Sequence, residues 1–180
     1  MNITNIDDIR KLASGDEGGR TEYKLITGQL ERGMETLCAF LNGEGGTVLF
    51  GVADNGKITG QEVSDKTKRE IAEAIRLFEP FATITVSYAN IPDTDKQVIA
   101  LYAEEQRYMR PFTYKGRAYQ RIESVTSVMP QDKYNHLLMQ RGGKYSWEAI
   151  PNPDLQISDL DENVICLLYT SPSPRDYAAS

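Results

Sequence analysis

The sequence predicts a single α+β domain, with a mixed sheet of about five strands and about four helices packed on it. Three observations support this prediction. The chain has 180 residues, which is enough for one domain with a proper core. Apolar residues make up 40% and charged residues 26% of the chain, the proportions of an ordinary globular protein. Segments with helical and with strand periodicity alternate along the chain.

Four segments have the apolar spacing that is typical of amphipathic helices. The clearest is residues 29–41, which place five apolar side chains on one stripe: Leu30, Met34, Leu37, Cys38 and Leu41. Further helices are predicted over residues 5–13 and 64–78. The last helix is predicted from Pro130 onward, because proline suits the first turn of a helix.

Five segments are predicted as strands. Residues 47–52 are almost continuously apolar, which is typical of a central strand covered on both faces. Residues 21–26, 83–88 and 97–103 are also predicted as strands. The fifth lies in residues 111–122, where the Lys115-Gly116 dipeptide predicts the turn of a hairpin.

Composition and charge exclude several classes of protein. No stretch approaches the ~18 apolar residues of a membrane helix, so we expect no membrane partner. Lys and Arg number 20 against 26 Asp and Glu, a net charge of -6. This argues against a strongly basic coat for nucleic acid but allows a local basic groove. The acidic N-terminal residues are unlike a secretion signal, so a cytoplasmic location is expected.

Cysteine and histidine give little sign of chemistry. Cys38 and Cys166 have no metal-ligand or disulfide spacing, and Cys38 is predicted to be a buried, inert thiol. The one histidine, His136, is predicted on the surface of the last helix.

The glycine pair Gly45-Gly46 joins the predicted second helix to the central strand. Exposed amides at such a pair would meet an anion, so the pair is a candidate phosphate or ligand loop. The segment lacks the Gly-Lys-Ser/Thr of a Walker loop and runs from helix to strand. A helix C-cap followed by a tight turn is therefore the simpler interpretation.

Several short motifs stand in a fixed order along the chain. They are Glu17-x4-Glu22-Tyr23-Lys24, then Cys38-Ala39-Phe40-Leu41-Asn42 with Gly45-Gly46, then Gly51-Val52, Asp54-x-Gly56 and Gly60, and last Tyr119-x-Arg121 with Glu123-Ser124. Together they resemble the bacterial type of the Schlafen AlbA-type domain family, also labelled divergent AAA or putative DNA-binding domain. The resemblance runs from about residue 16 to residue 139.

The resemblance implies a nucleic-acid-binding, transcription-regulator-like domain. Basic side chains would line one side of the sheet, with Tyr114 and Tyr119 stacking on bases and a neighbouring loop gripping phosphates. The candidate binding residues are Lys24, Arg107, Arg110, Lys115, Arg117, Tyr119 and Arg121. A scattered, solvated surface is the alternative interpretation of the same residues.

The resemblance also implies an enzymatic alternative, because related animal Schlafen proteins cut structured RNA with three metal-holding acids. Glu17, Glu22 and Asp54 would then be both the catalytic residues and the ligands of Mg²⁺ or Mn²⁺, although Ala53 occupies a place that is often acidic in relatives. The residues alone allow Glu22 to pair with Lys24 or Arg121 instead, with Glu17 and Asp54 solvated. A third alternative is an ATP-binding or nucleotide-binding module, against which the missing Walker lysine argues. Whether the protein is an enzyme therefore stays open, and a binding module is the main expectation.

The domain boundaries follow from these assignments. Residues 1–15 are predicted as an N-terminal helix, 16–141 as the Schlafen AlbA-type domain and 142–165 as a linker toward a missing C-terminal region. Residues 166–180 resemble the translation of a sequencing-library adapter, so we expect them to be non-native. A homo-oligomer is left open.

Overall fold

A mixed four-stranded sheet forms the centre of the domain. The computed structural model describes residues 5–14 and 19–144. In sheet order the strands are β1 (Thr21–Lys24), β2 (Gly46–Phe50), β5 (Gln97–Ala103) and β4 (Ile84–Asn90). β1 runs parallel to β2, while β2 with β5 and β5 with β4 are antiparallel. β1 and β4 are therefore the two edges of this sheet.

Helix α2 (Leu30–Asn42) covers one face of the sheet and carries most of the core. Every residue of β2 is buried, as its continuous apolar sequence predicts. Val48 and Phe50 point to the α2 face, and Leu49 points to the other. The alternation follows from the two-residue period of a strand.

Helix α1 (Ile6–Ala13) packs on the opposite face, where Ile9 is fully buried. The Asn5 side chain caps this helix by accepting a hydrogen bond of 2.9 Å from the backbone N–H of Asp8. Tyr23 of β1 donates its hydroxyl to the carbonyl of Leu12 over 2.9 Å. The first strand and the first helix are thus tied to each other on this face of the sheet.

Two predicted boundaries are corrected by the structure. β1 ends at Lys24 rather than residue 26, because a short 3-10 helix over Thr27–Gln29 leads directly into α2. Helix α3 (Asp65–Ile75) begins with a capping box at Ser64, but it ends three residues before Phe78. Phe78 belongs instead to the short strand β3 (Phe78–Glu79).

The predicted hairpin around Lys115-Gly116 is present but short: Tyr114 and Arg117 pair antiparallel across the turn and exchange backbone hydrogen bonds of 2.8 and 3.0 Å. Lys115 and Gly116 both have positive φ, 49° and 74°, as a tight turn of this type requires. Beyond this one residue pair, the strands on either side of the turn pair with other strands: β6 (Thr113–Tyr114) with β3, and β7 (Tyr119–Ile122) with β8 (Val125–Val128).

The last described helix, α4 (Gln131–Lys144), begins directly after Pro130, and His136 on it is exposed. These elements confirm the predicted fold class of an α+β domain with a mixed sheet and four helices. Among residues 5–14 and 19–144, no helix combines the length and apolar character needed to cross a bilayer. The first three residues of the predicted linker, 142–144, belong to α4. The rest of the linker and the predicted adapter-derived tail lie outside the described residues.

Candidate nucleic-acid interface

Glu22 lies at the centre of a buried charged group on the α2 face of the sheet. Its Oε2 is 2.8 Å from Nη2 of Arg121, and its Oε1 contacts Nζ of Lys24. Only 12% of the Glu22 side chain and 5% of the Arg121 side chain are exposed. The Arg121 guanidinium also lies over the Phe40 ring, 5.2 Å from its centroid, and donates to Thr126. This group therefore joins β1, α2 and the β7–β8 hairpin.

Glu22 and Asp54, two of the three metal ligands that the sequence predicts, belong to different parts of the described chain, a strand and a turn. Glu22 faces α2. The turn that contains Asp54 lies beside the end of α1, where a Cβ placed on Gly56 would be 2.5 Å from the carbonyl oxygen of Ala13. Within residues 5–14 and 19–144, no three His, Cys, Asp or Glu side chains form a metal-binding group. Glu17 lies outside the described residues, so its part in a metal site stays a prediction.

Arg107 and Arg110 lie together at the C-terminal end of α2. Both guanidinium groups contact Oε1 of Glu105, at 2.6 and 3.2 Å. These contacts hold the pKa of the Glu105 carboxyl below its ordinary value, with the Arg107 hydrogen bond as the main cause. Nε of Arg110 donates to the carbonyl of Leu41 over 3.2 Å. This places the positive charge of Arg110 at the C-terminal end of α2, where it interacts favourably with the helix dipole. Arg110 therefore stabilises the end of α2, whereas Arg107 is exposed.

Lys115 and Arg117 lie on the exposed turn near the opposite end of α2. Nζ of Lys115 donates to Oε1 of Glu31 over 2.7 Å, which raises the pKa of the lysine. Glu31 and Asn42 are separated by about 16 Å along the helix axis. The structure thus divides the predicted basic residues among the two ends of α2 and the buried Glu22 group.

The two tyrosines proposed for stacking are both buried. Tyr119 is 8% exposed, and its hydroxyl donates to Oε1 of Glu35 over 2.9 Å. Burial, assisted by this hydrogen bond, raises the pKa of Tyr119 to about 12. Tyr114 packs against Phe78, with ring centroids 5.1 Å apart. Neither ring presents an open face for a base in this structure.

The glycine pair is buried rather than open to a ligand. The N–H of Gly45 donates to the carbonyl of Phe40 over 3.0 Å, as a helix C-cap does. A Cβ on Gly46 would lie 2.7 Å from both the Arg20 carbonyl oxygen and the Phe40 ring. Gly46 is therefore needed for the close approach of β2 to β1 and α2.

A cleft of about 310 Å³ opens at the C-terminal end of α2, and we call it the α2 cleft. Its walls come from the start of β1, the end of α2, strand β7 and helix α4. They are lined by Gly19, Arg20, Ala39, Phe40, Asn42, Gly43, Glu44, Gln120, Arg121 and Lys133. Its volume is at the lower end of ligand-binding pockets, and three of its lining residues are cationic.

The α2 cleft is fixed by buried hydrogen bonds at its base. The Asn42 amide donates to the carbonyls of Phe112 and Tyr119, both over 2.9 Å, and accepts from the N–H of Phe112 over 2.7 Å. These three bonds tie the end of α2 to the chain that enters β7. On the wall, Nζ of Lys133 donates to Oε1 of Gln120 over 2.8 Å. Asn42 is the last residue of α2 and is buried. Its side chain therefore does more than end the helix, because its hydrogen bonds hold α2 to the neighbouring chain.

Three residues of the α2 cleft did not emerge from the sequence: Arg20, Gln120 and Lys133. Arg20 directly precedes β1, and its Nη2 donates to the carbonyl of Glu44 over 2.5 Å. Lys133 is in the first turn of α4, so only the folded chain brings it next to Gln120. The available signal for Arg20 was its place inside the Glu17-x4-Glu22 motif, as the one basic residue there. Lys133 had none.

Fold and cleft together define a class of protein, a small α+β domain with one parallel strand pair and a polar cleft at the end of its central helix. The family model described as Schlafen, AlbA_2 matches residues 17–130. This match covers more than half of the chain, and the chain belongs to the Schlafen AlbA_2 family. The family expectation from the sequence motifs is thereby confirmed.

Among the solved structures that the chain matches is that of the DIP2311 protein from Corynebacterium diphtheriae. The two chains share 12% sequence identity with a TM-score of 0.49, and the match covers 90% of this chain and 32% of that one. This chain therefore spans about a third of the length of that protein. No curated protein matches the sequence.

Proposed function

We propose that this domain binds nucleic acid at the α2 cleft. The carrying observation is that three cations, Arg20, Arg121 and Lys133, line one concave surface. Arg121 is already paired with Glu22, so Arg20 and Lys133 are the side chains that would meet phosphate oxygens. Arg107, exposed at the same end of α2, would extend the contact. We extend the proposal to a cytoplasmic location.

Two acidic residues near the cleft affect the strength of the nucleic-acid binding that we expect. Glu44 lies 4.0 Å from Arg20, and Glu105 pairs with Arg107. These carboxylates reduce the local positive charge, so we expect weak binding that is sensitive to salt rather than a tight nonspecific coat.

Fluorescence anisotropy with a labelled oligonucleotide tests the proposal. Arg20→Ala and Lys133→Ala should each weaken binding, and each should lower the slope of log affinity against log salt by about 1, because each removes one phosphate contact. Lys66→Ala on the exposed face of α3 removes the same charge away from the cleft and serves as the matched control. Equal losses in all three variants, or no binding at low salt by the unmodified protein, would overturn the proposal.

A further inference from the structure

Phe81 and Tyr108 are aromatic side chains at the surface of the domain, and we call them the aromatic pair. Phe81 is 82% exposed and Tyr108 is 58% exposed, whereas each of the other four phenylalanines is no more than 4% exposed. Each member of the pair is followed by a residue that packs in or against the core on the α2 face, Ala82 or Met109. The backbone of the pair is therefore anchored while both rings are accessible, and exposed rings of this kind mark binding surfaces.

Phe81 lies at the same end of the sheet as the α2 cleft. It precedes β4, whose first residue, Ile84, pairs with Ala103 at the end of β5. On its other side, Ala103 pairs with Gly46, the first residue of β2. Since α2 ends shortly before β2 begins, the start of β4 and the C-terminal end of α2 lie at one end of the sheet.

The segment that follows β5 connects the α2 cleft to the start of β4. A Cβ on Gly45, one residue from the lining of the cleft, would lie 3.0 Å from the backbone nitrogen of Glu105. Nε2 of Gln106 donates to the carbonyl of Thr83, directly before β4, over 3.3 Å. Tyr108 lies two residues further along this segment. The cleft and the aromatic pair are thus joined by one continuous stretch of packed chain.

Arg107 places a cation between the cleft and the aromatic pair along this segment. Its side chain is exposed, and its guanidinium group is 2.6 Å from Oε1 of Glu105. The hydrogen bond to Glu105, together with the charges of Glu105 and Glu44, raises the pKa of Arg107, and Glu44 is part of the lining of the α2 cleft. A surface that combines cations with accessible aromatic rings is typical of proteins that bind single strands, because phosphates contact the cations while bases stack on the rings.

We infer that the nucleic acid bound at the α2 cleft is single-stranded and that its bases stack on Phe81 and Tyr108. The inference rests on the proposed function, since the cleft supplies the phosphate contacts. In a duplex the base faces are stacked on each other, so an exposed ring finds a free base face only on an unpaired strand. The cleft volume of about 310 Å³ is that of a small-ligand pocket, which suits one nucleotide rather than the width of a duplex. The aromatic pair thus takes the role that the sequence assigned to the buried Tyr114 and Tyr119.

Fluorescence anisotropy with three labelled oligonucleotides of about 12 nucleotides tests the inference on the unmodified full chain. They are a single strand of thymidines, a duplex of the same length, and an abasic strand that keeps the phosphates and lacks the bases. The single strand should bind at least about 5-fold more tightly than the abasic strand, because stacked bases contribute to affinity. It should also bind more tightly than the duplex, although the duplex carries twice as many phosphates.

Phe81→Ala and Tyr108→Ala should each weaken binding of the single strand by about 5-fold or more. Neither variant removes a charge, so the slope of log affinity against log salt should not change, and binding of the abasic strand should not change. Tyr108→Phe keeps the ring and should bind like the unmodified chain. Ile26→Ala removes an exposed apolar side chain just before the N-terminal end of α2 and serves as the matched control.

Three results would each overturn the inference: tighter binding of the duplex, equal binding of the single strand and the abasic strand, or losses in both alanine variants no larger than in Ile26→Ala. In all three cases, weaker binding by Arg20→Ala would leave the proposed function standing. A chain that binds none of the oligonucleotides would overturn the proposed function and this inference with it. Circular dichroism reports whether the variants are folded, and the comparison of the three oligonucleotides needs no variant.

Discussion

At the scale of single residues, the buried pair of Glu22 and Arg121 shows that Glu22 contributes to the stability of the domain. Glu22 was predicted from the motif as a metal ligand, yet each of its carboxylate oxygens contacts a cation in this structure. A variant that removes Glu22 would leave Arg121 buried without its main counter-charge. Loss of any activity in such a variant would therefore report on stability as much as on metal binding.

Glu22→Gln should lower the free energy of unfolding by about 3–5 kcal/mol, because it breaks a buried ion pair by removing one partner. Urea unfolding followed by circular dichroism measures this loss. Glu44→Gln makes the same chemical change at an exposed pair with Arg20 and should cost less than about 1 kcal/mol. If the two variants lose the same amount, the Glu22–Arg121 pair is not the tie between β1 and β7 that we describe.

Two buried groups make the folded protein sensitive to alkaline pH. Burial raises the pKa of the Cys38 thiol from 9.0 to about 12, and burial together with Glu35 raises the pKa of Tyr119 from 10.0 to about 12. The folded state therefore keeps protons that the unfolded state releases. Their stabilising effect is complete below pH 9 and is lost as the pH rises toward 12, by up to about 1.4 kcal/mol per pH unit for each group.

Urea unfolding at a series of pH values from about 8, below both ordinary pKa values, to about 11, below the raised values of about 12, checks this prediction. Cys38→Ala should flatten the decline that begins near pH 9, and Tyr119→Phe the part that begins near pH 10. An equally steep decline in both variants would show that other groups cause the loss.

At the scale of elements, the contact between α2 and β2 depends on a glycine inside a helix. A Cβ on Gly33 would lie 2.5 Å from Cζ of Phe50, far inside van der Waals contact. Glycine inside a helix ordinarily costs about 1 kcal/mol relative to alanine. Here the absence of a side chain allows the helix to approach the sheet.

Gly33→Ala should therefore destabilise the protein by about 1–3 kcal/mol, as overpacking of a core does, instead of stabilising it. Thermal unfolding detects the change. Arg32→Ala on the exposed side of the same helix should be nearly neutral. Adding Phe50→Leu to Gly33→Ala should recover part of the loss. A more stable Gly33→Ala variant would contradict the close approach.

The elements also explain which parts of the fold were predictable. α2, β2 and β5 have apolar patterns that are complete within each segment, and the sequence places them to within two residues at each end. β3 and β6 have two residues each and exist only because they pair with each other across the chain, Phe78 with Tyr114 and Glu79 with Thr113. β7 was predicted, but its partner β8 was not, since Val125 and Val128 are exposed and lack the alternation of a half-buried strand. Nonlocal pairing leaves no local pattern.

At the scale of the whole molecule, the same limit applies to the candidate site. The Glu22–Arg121 pair was among the alternatives that the sequence allowed, because both residues belong to motifs of the family. The α2 cleft also needs Gln120 and Lys133, whose contact follows only from the position of α4 on the domain. The sequence motifs thus identified the family and the Glu22–Arg121 pair. Only the folded structure shows that the predicted basic residues lie in three places: the two ends of α2 and the buried group around Glu22.

Charge is distributed unevenly over the molecule. Residues 19–144 contain 17 Lys and Arg and 16 Asp and Glu, so the described domain is nearly neutral. Residues 145–180 contain six acidic residues and one arginine. Most of the net charge of -6 therefore lies outside the part that carries the α2 cleft. An acidic excess on the same chain weakens the attraction of a nucleic acid at long range.

A chain that ends at Lys144 has a net charge of -1 instead of -6, and it should bind an oligonucleotide several-fold more tightly at ~0.05 M salt. The difference should disappear near ~0.5 M salt, because salt screens the repulsion between the acidic side chains and the phosphates. Anisotropy titrations of both chains at the two salt levels measure this. A full-length variant in which the acids are replaced by their amides, at Glu148, Asp154, Asp159, Asp161 and Glu162, separates charge from length. It should bind like the shortened chain; if it binds like the unmodified one, the acidic charge is not what limits affinity.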